Sequence, residues 1–525
     1  MSSPTLTEAS APDTRSAGAA APRRAILALT RVEALRLLRH PLTVAAILLL
    51  FGFWTSAWFT NQSNQYPVLQ DLDRDSELGT MLLLGGAALI AGNLATLRAH
   101  RNGTTGLGDV LILPDHARTV AHLLALLPLA VLAAVLVAAR VGVLAVATSA
   151  AGRPDPAELA TGPATVLLLG ALGVLLGRLT RAAIAAPLAL LAVLASLVVL
   201  PLLASGGTAQ WLQPVVPQGD PALPLPAPVY LMARPAGAHL GYLLGLAGLL
   251  AVAALLRTGA RLPRVAVAGV AALAGTVAGG AVQLAPPSHP VTAARAAALN
   301  HPAEHQTCRQ LDHVTYCAFA DFTGWIPAWH TVVQAVLARV PATRQRPPLT
   351  IRQRIVVLAD NGAVSDRILD AWRADDAAAG TPGAVTVATR WGDSRSAATL
   401  AALVAYRLAT GADLGLDQAE CGGAGALVIW LAGQAGSQAN TGLHKLVTDQ
   451  GDGVSFHQAQ AFPGVHVGQS ALSVGLAALD HPATDIAARV RNSWAALTAP
   501  GTSAARAAQI LGVPAPGPAT PSGRC

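Results

Sequence analysis

The sequence predicts an α-helical integral membrane protein of about seven transmembrane helices, followed by a mainly α exterior domain with a few short strands. Three observations carry this reading. Of the 525 residues, 53% are hydrophobic and 12% charged, against roughly 25% charged in soluble domains, and the mean hydropathy is +0.48. Aromatic residues make up only 4%, so the apolar surplus is Ala, Leu, Val and Gly, the composition of closely packed membrane helices. The apolar residues crowd into the first 285 positions, whereas all four cysteines, Cys308, Cys317, Cys421 and Cys525, lie beyond them. Disorder throughout and an ordinary soluble enzyme are thereby excluded. The pI of about 9.8 comes from 34 arginines and the single lysine Lys445. Because the arginines are scattered singly rather than gathered in a stripe, the basicity reads as membrane topology, and no nucleic-acid partner is expected.

Taken in order, residues 1–22 hold few large apolar side chains and are expected to be a disordered tail. Residues 23–39 mix Arg23, Arg24, Arg31, Arg36 and Arg39 with Ile26, Leu29, Val32 and Leu35. That pattern suits a basic helix in the headgroup region, or a plain cytoplasmic lead-in to the first span. No signal-peptide cleavage pattern follows, so the first apolar run is expected to be retained. A span needs roughly 20 predominantly apolar residues. Seven stretches meet or approach this, 41–59, 79–97, 119–139, 160–177, 182–204, 239–256 and 265–285, completing a transmembrane permease-like domain over 23–285.

Orientation follows from arginine, which cytoplasmic loops retain. With the N-terminus cytoplasmic, the inner loops hold Arg98, Arg101, Arg118, Arg178, Arg181, Arg257, Arg261 and Arg264, while the outer loops hold Arg74, Arg153 and Arg234. An odd number of spans then places the rest of the chain outside the cell membrane. The proline-rich 286–295 is expected to be a linker, 296–513 an extracytoplasmic domain, and 514–525 a flexible tail. Arg plus Lys number 17 and Asp plus Glu 16 across 286–525, the near-balance of a solvated domain. Within it, 325–340, 364–377, 396–409, 482–497 and 503–511 read as helices and 351–358 and 383–389 as strands, so a β-α-β unit is expected. The apolar run 422–433 is too short for an eighth span and reads as a buried helix. Cys308 and Cys317 flank an eight-residue polar turn suited to a hairpin-like disulfide, and their exterior placement agrees with an oxidising compartment. Pairing of Cys421 with Cys525 stays open.

Chemistry is sparse. Neither GxxxxGK[ST] nor GxGxxG occurs, so no nucleotide cofactor is expected and ATP hydrolysis must come from a separate chain. The pentad His301-Pro302-Ala303-Glu304-His305 has the HxxEH spacing of inverted zinc peptidases, in which two histidines bind metal and the glutamate handles the proton. It supports an alternative, a membrane-anchored zinc hydrolase, with Asp360, Asp366 or Asp370 as a further ligand. Against it stand Pro302, which interrupts a ligand helix, and the ease with which 14 histidines produce such a pentad by chance. A third reading is a non-transporting sensor or assembly protein anchored by its spans.

Two segments resemble a known family. RVEALRLLRHPLTVAAILLL at 31–50, with Glu33, Arg36, Arg39 and Pro41, resembles the opening of type-2 ABC exporter permeases. ATLRAHRNGTTGLGDVLILPDHARTVAHLLALL at 95–127 resembles the loop after their second span, with Arg98, Arg101, Gly103, Thr104, Leu113 and Pro114 at the matching positions. GRLTRAAIAAPLAL at 177–190 is similar to their central hairpin. The resemblance implies a permease subunit, working as a homodimer or paired permease in the bilayer. It also implies that a separate ABC ATPase subunit drives the chain through the 98–118 loop, with Arg98, Arg101, Gly103, Thr104 and Pro114 as coupling residues. The family usually has six spans and a cytoplasmic C-terminus. The added portion here, from Cys308 to Trp329, resembles the exterior extension of actinobacterial permease-like proteins.

Overall fold

A computed structural model of the chain describes residues 14–60, 65–72, 78–103, 113–147, 149–203, 211–214, 222–233, 235–261, 263–344, 348–357, 364–416, 418–450, 452–459 and 462–517. Helix α1 (Thr14–Leu38) starts within the stretch expected to be a tail, where an Ala-rich run has high intrinsic helix propensity. The chain bends by 51° into α2, Pro41–Thr60, with Pro41 at the first helical position, where its missing N–H is no loss. Then come α3 (Thr80–Arg101), α4 (Asp115–Leu124), α5 (Leu127–Ala145), α6 (Thr161–Leu179), α7 (Ala185–Leu203), α8 (Ala236–Arg257) and α9 (Pro263–Leu284). Among the described residues, five helices are long and apolar enough to cross a membrane, counting α4 and α5 as one, and six if the bent α1–α2 pair is one span. Helix α7, 19 residues long and apolar throughout, coincides with the remaining expected stretch.

Glycine sets the packing of this bundle. A Cβ on Gly173 of α6 would overlap the Leu89 carbonyl of α3, and one on Gly177 would overlap the Thr96 hydroxyl. Toward the other end, Gly92 faces the Gly170 carbonyl, Gly85 meets Leu169, and Gly162 meets Thr80. These contacts advance together along both helices, so α3 and α6 run parallel and touch nearly backbone to backbone, as small residues at a helix interface permit. Gly245 and Gly279 close the α8–α9 hairpin in the same way, against Thr276 and Tyr242. Between the two helices, Gly259 takes φ +85°, which a side-chain-bearing residue rarely adopts.

The expected linker is mostly helix. Helix α10 spans His289–Asn300, because Pro290 in its first turn costs no hydrogen bond and because the buried Arg295 donates its Nε to the Leu231 carbonyl. Strands β1 (Gln306–Leu311) and β2 (Val314–Phe319) form the hairpin, with Cys308 and Cys317 directly opposed and bridged. Strands β3 (Leu349–Gln353) and β4 (Val385–Val387) follow β2 in parallel. Helices α11 (Ile326–Leu337) and α12 (Asp366–Ala378) are the crossovers, so the one expected β-α-β unit is two. Both strands read from sequence are shorter than expected.

A second sheet orders β5 (Gln418–Glu420), β7 (Gly464–Gly468) and β6 (Gly453–His457). It packs with α13 (Ser394–Thr410), α14 (Gly423–Gly433), α15 (Ser437–Thr448) and α16 (Gln469–Leu479), while α17 (Ala483–Leu497) and α18 (Ala504–Leu511) pack on each other and on α14. Helix α14 is buried almost throughout, which explains its unbroken apolar run without a membrane. Cys421 is disulfide-bonded, and Cys525 lies outside the described residues.

Candidate functional site

The loops after α2, after α5 and after α7 all reach the C-terminal domain. Tyr66 lies edge-on to Trp391 at 6.4 Å, and Trp325 Nε1 donates to the Ser149 carbonyl at 2.8 Å. The Gly152 N–H donates to the Asp321 carbonyl at 3.0 Å, and the Val229 N–H donates to the Asp321 carboxylate at 3.0 Å. Ala151, Leu223, Ala227 and Leu231 are members of that domain's apolar core. All three expected outer loops therefore lie on the same end of the bundle as residues 286–517.

The opposite end gathers charge. Glu33, near the end of α1, is 5% exposed. Both of its carboxylate oxygens accept from Nη1 of Arg98 in α3, at 2.8 and 3.0 Å, and Arg36 Nη1 donates to it at 2.9 Å. Burying a carboxylate is costly unless such partners offset its lost hydration. Beside it lies a small, open cleft whose polar wall is Glu33, Arg36, His40, Arg98 and His122. Arg118 at the same end holds the Leu113 carbonyl and reaches Asp115 at 3.4 Å. Of the positions matched to a coupling loop, Arg98 is thus an anchor of α1, while Arg101 and Gly103 are exposed at the end of α3, Gly103 with φ +66°. Pro114 stands extended just before α4. Thr104 lies outside the described residues. Sequence reasoning singled out Glu33 and Arg98 separately; nothing local to either indicates that they pair, and the lining role of His40 and His122 was missed.

The HxxEH motif takes another form. His301 closes α10, and Pro302–His305 make a single 3₁₀ turn in place of the α-helix the zinc chemistry requires. Asp375 of α12 fastens that turn, accepting from the Ala303 N–H at 3.1 Å with His301 4.0 Å away. His301 and Glu304 face solvent while His305 is half-buried, 6.5 Å from the Tyr230 ring. Asp360 lies outside the described residues, and among those described no group of three His, Cys, Asp or Glu is placed to hold a metal. A buried ion cluster, missed in the sequence, lies next to this turn. Asp376 Oδ1 is 2.8 Å from Arg352 Nε and its Oδ2 is 2.5 Å from Arg354 Nη2, and Arg354 stacks 4.6 Å over Trp372. Burial pushes the Asp376 carboxyl up against the pull of Arg354 and Arg352, and draws the Arg354 guanidinium down to about 10. Gln306 and Thr381 take the other Arg352 donors. Two guanidiniums thus share one carboxylate, with the charge of Asp375 also acting on Arg354.

No family model, curated protein or solved structure matches the chain.

Proposed function

We propose that the chain is the membrane subunit of an ABC-type exporter in the cell membrane, its N-terminus cytoplasmic and its C-terminal domain extracytoplasmic. A separate ATPase subunit drives it, and two such subunits enclose the path. The observation that carries the reading is the Glu33–Arg98 ion pair, which joins the two segments whose motifs resemble the permease family. It fixes the helix before the first span to the end of α3, where the loop to a partner ATPase begins. A push on that loop would be transmitted through Arg98 into α1, and through the glycine-packed α3–α6 contact into the bundle. The eight inner-loop arginines at this end, with Arg36 beside them, and the absence of the docked loops there agree with a cytoplasmic face.

Purification from native membranes tests the reading. A P-loop ATPase should co-purify, deletion of 101–114 should release it, and Glu33→Arg should abolish the ATPase response that Glu33→Arg with Arg98→Glu partly restores. Absence of any ATPase, with normal function after the deletion, would end it.

A second reading, a membrane-anchored sensor or assembly protein, is supported by the docking of three outer loops into the exterior domain core. It requires that a ligand or partner bound outside act without any ATPase.

A further inference from the structure

We propose that the cleft between α1, α3, α4 and α6 holds the phosphodiester headgroup of one anionic phospholipid from the leaflet at that end of the bundle. Its walls are amphiphilic. One side carries Arg36, His40, Arg98 and His122, and the other is apolar, formed by Leu37, Leu126 and Val174 with small alanines between. Among the described residues the only acid lining it is Glu33, and that carboxylate is already engaged by Arg98 and Arg36. With neutral imidazoles the wall therefore keeps a net charge of one positive unit.

Donors remain for an incoming anion. A guanidinium offers five N–H groups, and Arg36 and Arg98 each use only Nη1 on Glu33. Their side chains are 57% and 38% exposed, so the remaining edges are open to the cleft mouth. His122 lines the same cleft, with Arg98 and Arg178 within electrostatic reach, and makes no hydrogen bond to another described residue. A headgroup phosphate fits this arrangement because arginine pairs with phosphate oxygens in a fixed fork.

The location selects a lipid over a soluble anion. Helix α1 departs from the direction of α2 by 51° and exposes Arg23, Arg24, Arg31 and Arg39, the pattern of a segment lying along an anionic surface. The apolar wall continues from the charged one into the span region, matching a glycerol backbone and the start of its acyl chains. A free phosphate has no use for that wall.

Titration of the full purified chain in zwitterionic detergent, read by native mass spectrometry, tests this without an ATPase, so its outcome is separable from the transport reading. One phosphatidylglycerol per chain should survive at concentrations where phosphatidylcholine is lost. Arg36→Gln should weaken retention roughly fivefold, the effect of about one surface arginine. His122→Gln should weaken it as well, whereas Arg264→Gln, at the same end but away from the cleft, should not. Equal retention of the two lipids, or unchanged retention in both cleft variants, would overturn the proposal. Displacement of phosphatidylglycerol by sn-glycerol 3-phosphate at comparable concentration would reassign the cleft to a soluble phosphate and also refute it.

Discussion

The indole N–H of Trp325 donates to the carbonyl of Ser149 across 176 residues of sequence, at 2.8 Å. Trp325 is fully buried against Phe322, so this bond seals the loop after α5 to the C-terminal domain. Trp325→Phe keeps an aromatic ring but leaves that carbonyl unpaired, and should destabilise the full chain by about 1–3 kcal/mol. Thermal unfolding should show the loss, together with faster proteolysis of the 146–160 loop. An unchanged midpoint and unchanged proteolysis would mean that the seal carries no stability.

Topology is open to direct measurement. Ala379→Cys places a thiol on the exposed end of α12, and Asn102→Cys places one at the exposed end of α3. A membrane-impermeant thiol reagent applied to whole cells should label the first and spare the second. Reversed labelling would invert the whole bundle, since the three docked loops fix its two ends relative to the C-terminal domain.

Cys317 is fully buried while Cys308 is exposed on strand β1. Their bridge closes a short loop, with a sequence separation of 9. Cys308→Ser should cost about 2–4 kcal/mol in the chain-entropy picture. Reductant should lower the unfolding temperature of the native chain and have a smaller effect on the variant.

Asp376 is the single carboxylate between Arg352 and Arg354. Asp376→Asn keeps the shape and removes the carboxylate that both buried guanidiniums pair with, a change that should destabilise by about 3–5 kcal/mol. Arg373→Gln, on the exposed face of the same helix and paired only with Asp370, should shift the unfolding temperature hardly at all. Comparable effects of the two would show that the buried cluster is not what holds α12 in place.

Gly173→Leu forces α6 away from the Leu89 carbonyl. Overpacking of this kind costs about 1–3 kcal/mol or more, so the variant should lose its monodisperse peak in detergent chromatography. Gly142→Ala has nothing within 4 Å to meet and should be tolerated or mildly stabilising. Tolerance of both would refute close backbone packing of α3 on α6.

Much of the helical bundle was legible because the signal is local. Whether a run of 20 residues is apolar depends on its own side chains, so the seven stretches fall on helices, 119–139 on two of them, and five or six of the described helices are long and apolar enough to cross a membrane. The Cys308–Cys317 hairpin and the buried α14 were legible for the same reason, a turn of defined length in one case and a run too short to span in the other. The strands were less so. The 351–358 stretch carried an alternating start and overlaps β3, whereas β1 and β2 were not read as strands and β5, at Gln418–Glu420, is a three-residue strand beside its parallel partner β7.

By itself the sequence determined where apolar runs lie, which loops carry positive charge, which cysteines face each other across a turn, and that Pro302 breaks the HxxEH helix. Only the tertiary structure decided that Glu33 meets Arg98, that Asp376 sits between two arginines, and that loops at one end of the bundle complete the core of the C-terminal domain. Composition and spacing are properties of a segment, set by its own hydration and backbone preferences. A pair of charges 65 residues apart is brought together only when glycine-lined helices have chosen which neighbours to touch, and that choice is made by the complementarity of whole surfaces.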